Sequence, residues 1–159
     1  MSRIYLVRHA KAGERRAWSG DDVDRPLSKK GWKQSARVAD RLAGLEPRLL
    51  LSSPYVRCVQ TLEPLAERIN LPVEIDKRLR EDEPVEPLLE LLADAPASTV
   101  LCSHGDLIPA AIGSLQRAGA VVQTPPDWRK ASVWVLRRNR QAHVISAAVW
   151  PPPALGAPR

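Results

Sequence analysis

Four side chains in this 159-residue sequence, two arginines and two histidines, closely follow apolar stretches. Arg8 and His9 come directly after one stretch, His104 follows another, and Arg57 stands shortly after a third. An arginine fork stays charged and binds phosphate oxygens in pairs. A histidine that is neutral near pH 7 can attack phosphorus without a separate base. If the fold brings the four together, their chemistry is the binding and transfer of a phosphoryl group.

The same residues are poor metal ligands, because no carboxylate or cysteine cluster accompanies them. Cys58 and Cys102 lie far apart and form no C-x-x-C pattern, which predicts two free thiols in a reducing compartment. His143 has no polar partner nearby in sequence and is interpreted as structural. We therefore expect neither a metal nor a cofactor.

Short apolar runs alternate with amphipathic stretches along the chain. The apolar runs predict strands at residues 4–7, 49–51, 73–75 and 99–102, followed by a hairpin of residues 132–136 and 144–149. The amphipathic stretches predict helices from Ser28 to about residue 43, after Ser53, after Pro84 and Pro87, and over residues 107–115. Ser28 and Ser53 are predicted N-caps, with Pro54 at the first helical position and Pro64 as a candidate kink.

This alternation predicts a three-layer α/β/α sandwich with a mainly parallel sheet. One domain is expected over residues 1–150, and the Pro-rich segment 151–159 is expected to be a disordered tail. In such sheets ligands bind beyond the carboxyl ends of the strands. Arg8, His9 and His104 follow strand ends, so they are expected at this edge.

Composition limits the classes of partner. The net charge of +6 favours an anionic ligand, but the basic residues are spread out and aromatics make up only 4% of the chain. Nucleic-acid binding therefore has no support, whereas a phosphorylated small molecule or protein would explain the charge. No apolar run has membrane-spanning length, and the protein is expected in the cytoplasm. The sequence does not predict an oligomeric state.

Four segments in order, "LVRHAKAG", "RPLSKKGWKQSARVADRL", "SSPYVRCVQTLEPLAERI" and "CSHGDLIP", closely resemble the histidine phosphatase superfamily, also called the phosphoglycerate mutase-like family. The first two are most similar to its phosphohistidine phosphatase branch of the SixA type. The resemblance implies that His9 is the nucleophile and becomes phosphohistidine. It also implies that Arg8 and Arg57 bind the transferring group and that His104 hydrogen-bonds its oxygens.

Members of this family that use a general acid often carry it in an L-x-E segment after the third strand. Leu79-Arg80-Glu81 fits that pattern, so the resemblance implies Glu81 as the acid, with Glu83 as the second candidate. Compact SixA-type members tend to lack this glutamate. The alternative is that Glu81 and Glu83 belong to an acidic surface turn.

The loop "GERRAWSGDDVDRPLS" departs from the SixA pattern and resembles the version of the domain attached to Nudix hydrolases in some bacteria. That version acts on nucleotides and related polyphosphates. Trp18 is then a candidate to stack on a base, while Arg15 and Arg16 hold further phosphates. The alternative is a surface loop with one half-buried tryptophan.

Three functions remain open at this point. The leading one is a metal-independent phosphatase that acts through phospho-His9 on phosphohistidine or small phosphate esters. The second is a nucleotide or polyphosphate phosphohydrolase with the same mechanism. The third is a non-catalytic phosphate-binding regulatory module, which the intact set of four residues argues against. A mutase is disfavoured because the chain lacks the long insertions expected of one.

Overall fold

A seven-stranded mixed sheet runs through the centre of the computed structural model, which describes residues 1–156. Its strands are β1 Ser2–Arg8, β2 Leu49–Ser52, β3 Val73–Ile75, β4 Thr99–Ser103, β5 Val121–Val122, β6 Val133–Arg138 and β7 Val144–Trp150. They pair in the order β3-β2-β4-β1-β6-β7-β5. Among the described strands, β6 alone runs against the others. The predicted sheet and hairpin are therefore confirmed, while β5 is too short to leave a pattern in the sequence.

Two pairs of helices cover the two faces of the sheet. They are α1 Lys29–Ala43, α2 Val56–Ile69, α3 Val85–Asp94 and α4 Leu107–Arg117. Along β1, Ile4 and Leu6 pack into the core beneath α3 and α4, while Tyr5 and Val7 pack into the core beneath α1 and α2. This alternation is the two-residue period of a strand buried on both faces. The fold is the three-layer α/β/α sandwich that the sequence predicts.

The predicted N-cap is confirmed for α1 and wrong for α2. The Ser28 hydroxyl accepts a hydrogen bond from the Gly31 N–H, as an N-cap should. By contrast, α2 begins at Val56, so Ser53 and Pro54 precede the helix. The Ser53 hydroxyl is instead close to the His104 ring, which lies at the end of the neighbouring strand β4. The sequence pattern could not reveal this use because the contact spans 51 residues.

The loop after β1 is held by the first turn of α1. Lys11 donates its N–H to the Gln34 side chain at 2.9 Å, and its carbonyl accepts from the Ser28 N–H at 3.0 Å. Gly31 fits against the same carbonyl, where an added Cβ would collide with backbone. These contacts fix the backbone that leaves His9.

The end of the described chain carries no helix or strand. Residues 151–156 continue from β7, and Pro152, Pro153 and Leu155 are partly buried there. Residues 157–159 lie outside the described residues, so the prediction of a disordered tail stays a prediction for them. Within residues 1–156, no helix combines the length and apolar character that crossing a bilayer requires.

Candidate active site

A cavity of about 370 Å³ opens at the carboxyl ends of the central strands. Arg8 ends β1, His9 follows it, and both line the cavity. Arg57, the second residue of α2, lines it as well. His104 directly follows β4, which pairs with β1 in parallel, and its ring centroid lies 5.4 Å from that of His9. The structure thus brings together the four residues that the sequence singled out.

His9 is 5% exposed, and the surrounding contacts determine which ring nitrogen is free. Its Nδ1 lies 2.8 Å from the Ala10 carbonyl oxygen. A carbonyl can only accept, so Nδ1 carries the hydrogen and Nε2 keeps its lone pair. Burial lowers the pKa of His9 well below 6.5, and the nearby positive charges of Arg57 and Arg8 act in the same direction. His9 is therefore a neutral imidazole at pH 7 with an unprotonated Nε2.

The Arg8 guanidinium packs against Gly105. Its guanidinium donates to the Trp128 carbonyl at 2.6 Å. A Cβ added to Gly105 would lie 2.6 Å from the Arg8 Cζ, closer than carbon atoms can approach. Gly105 therefore leaves the space that the guanidinium occupies. The glycine directly after His104 is the signal in the sequence from which this close approach could have been predicted.

Arg57 is 1% exposed and is oriented by Asp22. Its two terminal nitrogens donate to the Asp22 carbonyl at 2.9 Å and the Asp22 carboxylate at 3.1 Å, and its Cζ lies 4.7 Å from the Tyr55 ring centroid. Burial tends to raise the pKa of Asp22, but hydrogen bonds from Arg25 and Arg57 outweigh it and lower that pKa. Asp22 is thus an ionised anchor for Arg57. Sequence reasoning missed it because it is one of several acidic residues in a long loop.

His104 is fully buried among polar and sulfur groups. Its Nε2 lies 2.9 Å from the Ser53 hydroxyl and 3.5 Å from the Cys58 sulfur, and the Tyr55 ring packs against it edge-on. Its Nδ1 has no hydrogen-bond partner among the described residues. Since buried polar atoms are normally paired, this Nδ1 is a candidate contact for a ligand, while His104 itself is not among the described residues that line the cavity.

Cys58 and Cys102 are buried free thiols, as predicted. Burial tends to raise the pKa of Cys58, but hydrogen bonds with Cys102 and His104 lower it overall. The Cys58 sulfur is therefore a polar contact for the His104 ring.

Glu81 lines the cavity, whereas Glu83 is not among its lining residues in the described chain. The Glu81 side chain is 27% exposed, and its Oε1 lies 3.6 Å from Arg57 Nη2 and 3.9 Å from Arg15 Nη2. The Ser103 hydroxyl donates to the Leu79 carbonyl at 2.8 Å, which ties the turn before Glu81 to the end of β4. Of the two predicted acids, Glu81 is the one that the fold places at the cavity.

The loop between β1 and α1 contributes Arg15 but not Trp18. Arg15 lines the cavity with a side chain that is 69% exposed. The Trp18 indole N–H donates to the Asp21 carbonyl at 2.7 Å, and the ring packs against Gly20. Trp18 is not among the described residues that line the cavity. The structure therefore gives no support to base stacking by Trp18 in this conformation.

The charges at the cavity suit an anion. Cationic side chains dominate its lining, namely Arg8, Lys11, Arg15, Arg25, Arg57 and Lys130. Within residues 1–156, no group of three or more His, Cys, Asp or Glu side chains has the arrangement of a metal site. A neutral nucleophilic nitrogen among fixed cations can accept a phosphoryl group.

Comparison with solved structures supports this assignment of the fold. A candidate phosphohistidine phosphatase SixA from Agrobacterium tumefaciens superposes with a TM-score of 0.72 at 26% identity, covering 87% of this chain and 92% of that one. Another from Nakamurella multipartitia superposes with a TM-score of 0.70 at 25% identity, covering 96% and 97%.

Comparison of sequences gives the family. An 8-oxo-(d)GTP phosphatase of Mycolicibacterium smegmatis is 31% identical over 157 residues, which cover 94% of this chain and 48% of that protein. The chain thus spans about half the length of this relative. A family model described as the histidine phosphatase superfamily (branch 1) matches residues 4–84, the part that carries Arg8, His9 and Arg57. The chain belongs to the histidine phosphatase superfamily.

Proposed function

We propose that this protein is a metal-independent phosphatase that acts through a phosphohistidine on His9, on phosphohistidine or small phosphate esters. The observation that carries the proposal is the hydrogen bond from His9 Nδ1 to the Ala10 carbonyl. It leaves Nε2 unprotonated in a cavity whose lining includes four arginines, Arg8, Arg15, Arg25 and Arg57.

In the proposed reaction, His9 Nε2 forms a bond to phosphorus while the bond between phosphorus and the leaving oxygen breaks. The leaving oxygen keeps the electron pair and takes a proton from Glu81. Arg8, Arg57 and His104 stabilise the charge on the transferring group. Water then attacks phosphorus and gives a proton to the Glu81 carboxylate, while the bond between Nε2 and phosphorus breaks with its electron pair left on nitrogen. Inorganic phosphate departs, and both His9 and Glu81 return to their starting forms.

The lowered pKa of His9 predicts how turnover depends on pH. The nucleophile must be neutral, so activity falls on the acid side when His9 of the free enzyme is protonated. Because burial holds its pKa well below 6.5, kcat/KM is expected to keep its neutral-pH value down to pH 6 or lower. The check is a kcat/KM profile on p-nitrophenyl phosphate, corrected for the ionisation of the substrate. An acid limb centred at or above pH 6.5 would contradict this account of His9.

Glu81→Gln tests the general acid by its dependence on the leaving group. An alkyl phosphate departs as a strongly basic alkoxide and needs a proton, so its turnover should fall about 10²-fold. p-Nitrophenolate and anhydride leaving groups are weak bases and should lose much less. The measurement is kcat/KM on glycerol phosphate and on p-nitrophenyl phosphate with the same enzyme preparation.

Glu83→Gln is the matched control, since it removes the same charge two residues away from a side chain outside the cavity. In this variant kcat/KM on both substrates is expected to stay within about twofold of the wild-type value, because Glu83 lies outside the cavity. Equal losses on both substrates in Glu81→Gln would make Glu81 a positioning residue for Arg57. Loss in Glu83→Gln alone would assign the acid to Glu83.

A turnover panel tests the function as a whole. The purified protein is given a phosphohistidine peptide, simple monoesters, and nucleoside di- and triphosphates, each with and without an excess of EDTA. The proposal expects phosphate release from phosphohistidine or a monoester that EDTA does not reduce. Loss of activity with EDTA and its return with magnesium or zinc would require a different active site.

A nucleotide or polyphosphate substrate is the second candidate, and the 8-oxo-(d)GTP phosphatase relative favours it. This candidate would be selected if the protein turned over only the nucleoside di- and triphosphates of the panel. The third candidate, a phosphate-binding module without turnover, would bind phosphate and release none from any substrate. An unprotonated His9 Nε2 at the cavity argues against that module, because binding alone needs donors and not a nucleophile.

A further inference from the structure

A second, larger groove continues from the catalytic cavity. It has a volume of about 740 Å³ and shares Arg8, Lys11 and Lys130 with the cavity. Beyond them it is lined by Lys30 at the start of α1 and by residues 152–156. We refer to the surface formed by Lys11, Lys30 and Lys130 as the lysine groove.

We propose that the lysine groove binds a second phosphate carried by the leaving group, so that diphosphates and longer polyphosphates are preferred over simple monoesters. This inference rests on the proposed phosphatase function. It keeps the phosphohistidine mechanism but assigns the site the second candidate substrate above, a polyphosphate, in place of a simple ester, and it gives the direction in which the leaving group lies.

The charges of the three lysines in the groove are not neutralised by salt bridges within the described residues. Lys11, Lys30 and Lys130 form no salt bridge with any carboxylate of the described chain. Arg129, which also lines the groove, is paired with Asp127 through two nitrogens and adds little net charge. No carboxylate is among the described residues that line the groove. Within residues 1–156, three ammonium groups beside Arg8 therefore face solvent without a paired carboxylate.

The cations of the groove and the adjoining cavity lie close together. Lys130 is surrounded by Arg8, Arg25, Lys11 and Arg57, and partial burial together with their charges lowers its pKa. Like charges at close range repel, so this arrangement costs stability unless a ligand compensates it. An anion that extends from the cavity into the groove would supply that compensation.

The other side of the cavity differs from the lysine groove in its charges. There the cations Arg15 and Arg57 already face carboxylates, Asp22 and Glu81. A polyanionic leaving group would be repelled by Asp22, and by Glu81 whenever that residue is ionised, and attracted by the lysines. The groove therefore directs additional phosphates toward α1 and away from Trp18.

Hydrogen bonds hold the backbone of the groove at Lys11 in place. Lys11 follows His9 by two residues, and its N–H and carbonyl are bound by Gln34 and Ser28 at the start of α1. Lys30 lies in the same first turn. The hydrogen bonds between Lys11 and the start of α1 thus fix His9, Lys11 and Lys30 relative to each other.

With a polyphosphate bound in this way, His9 Nε2 bonds to its terminal phosphorus, and the bond from that phosphorus to the bridging oxygen breaks. The bridging oxygen leaves with the electron pair as part of the shortened phosphate chain. Water later cleaves the bond between nitrogen and phosphorus. The lysines hold the shortened chain by charge and take no part in the covalent chemistry.

The test compares inorganic tripolyphosphate with p-nitrophenyl phosphate, which carries no second phosphate. In Lys30→Glu the ratio of their kcat/KM values should fall about tenfold, since reversing one partly screened charge removes an attraction and adds a repulsion. Lys33→Glu is the control, because Lys33 is an exposed residue of the same helix outside the groove and the net charge changes equally. In that variant the ratio should stay within twofold of the wild type. The wild-type ratio should also fall as salt is raised.

The other possible results distinguish failure of the phosphate subsite from failure of the proposed phosphatase function. If the wild type hydrolyses p-nitrophenyl phosphate but not tripolyphosphate, or if Lys30→Glu and Lys33→Glu change the ratio equally, the lysine groove is not a phosphate subsite. If Lys30→Glu impairs only a phosphohistidine protein, the groove is a protein-docking surface and the inference is overturned. If the wild type hydrolyses none of these substrates, the phosphatase proposal itself fails.

Discussion

Replacing His9 by alanine is expected to reduce phosphate release by about 10⁴-fold or more, since His9 is the one imidazole among the described residues that line the cavity. Phosphate binding should survive, because Arg8, Arg57 and His104 remain. The measurement combines kcat/KM on p-nitrophenyl phosphate with titration of the variant by inorganic phosphate. His9→Ala thereby separates a nucleophile from a binding residue.

His143→Ala is the matched control for that experiment. His143 is an exposed residue of the β6–β7 hairpin, so its loss changes the histidine content equally without touching the cavity. Wild-type activity is expected in this variant. Retention of more than about a tenth of the activity in His9→Ala would refute the covalent mechanism.

Gly105→Ala is expected to lower kcat/KM by about 10² to 10³-fold, because displacing Arg8 removes one of the donors that stabilise the transferring group. The added Cβ would occupy the position of the Arg8 guanidinium, and the flexible end of that side chain can move aside. The free energy of unfolding should therefore change by only about 1 kcal/mol or less. The checks are steady-state kinetics and thermal unfolding of the same variant.

Gly44→Ala provides the control, because Gly44 has helical backbone angles and open space at its Cβ position. It should be as active as the wild type. A double-mutant cycle with Arg8→Ala sharpens the test, since Gly105→Ala should cause little further loss once Arg8 is absent. Additive losses in the double variant would show that Gly105 acts on something other than Arg8.

The fold was predictable because its signals are local. Buried strands leave apolar runs, and α1 begins at a serine that caps it, as β1 and Ser28 illustrate. The start of α2 was predicted wrongly because Ser53 and Pro54 mimic a cap, while the Ser53 hydroxyl is needed at His104. A residue recruited by a distant partner leaves no trace in its own neighbourhood.

The site was predictable only in part for the same reason. Arg8, His9 and His104 follow strands, and strand ends converge in a parallel sheet. Asp22, which orients Arg57 from 35 residues away, has no local signature. The stacking role suggested for Trp18 by its place beside arginines stays a prediction, and in this structure its indole N–H donates to the carbonyl of Asp21. Side-chain direction in a loop depends on the fold and not on spacing.

The most direct test of the central claim is to stop the reaction during turnover and locate the phosphate on the protein. With ³²P-labelled substrate and an acid-free quench, the account predicts label that is acid-labile and base-stable and that maps to the peptide containing His9. Because Nδ1 donates to the Ala10 carbonyl, the phosphate should reside on Nε2, which NMR of the phosphorylated protein can distinguish from Nδ1. Label on Nδ1, label on another residue, or rapid turnover with no labelled protein at any quench time would contradict it.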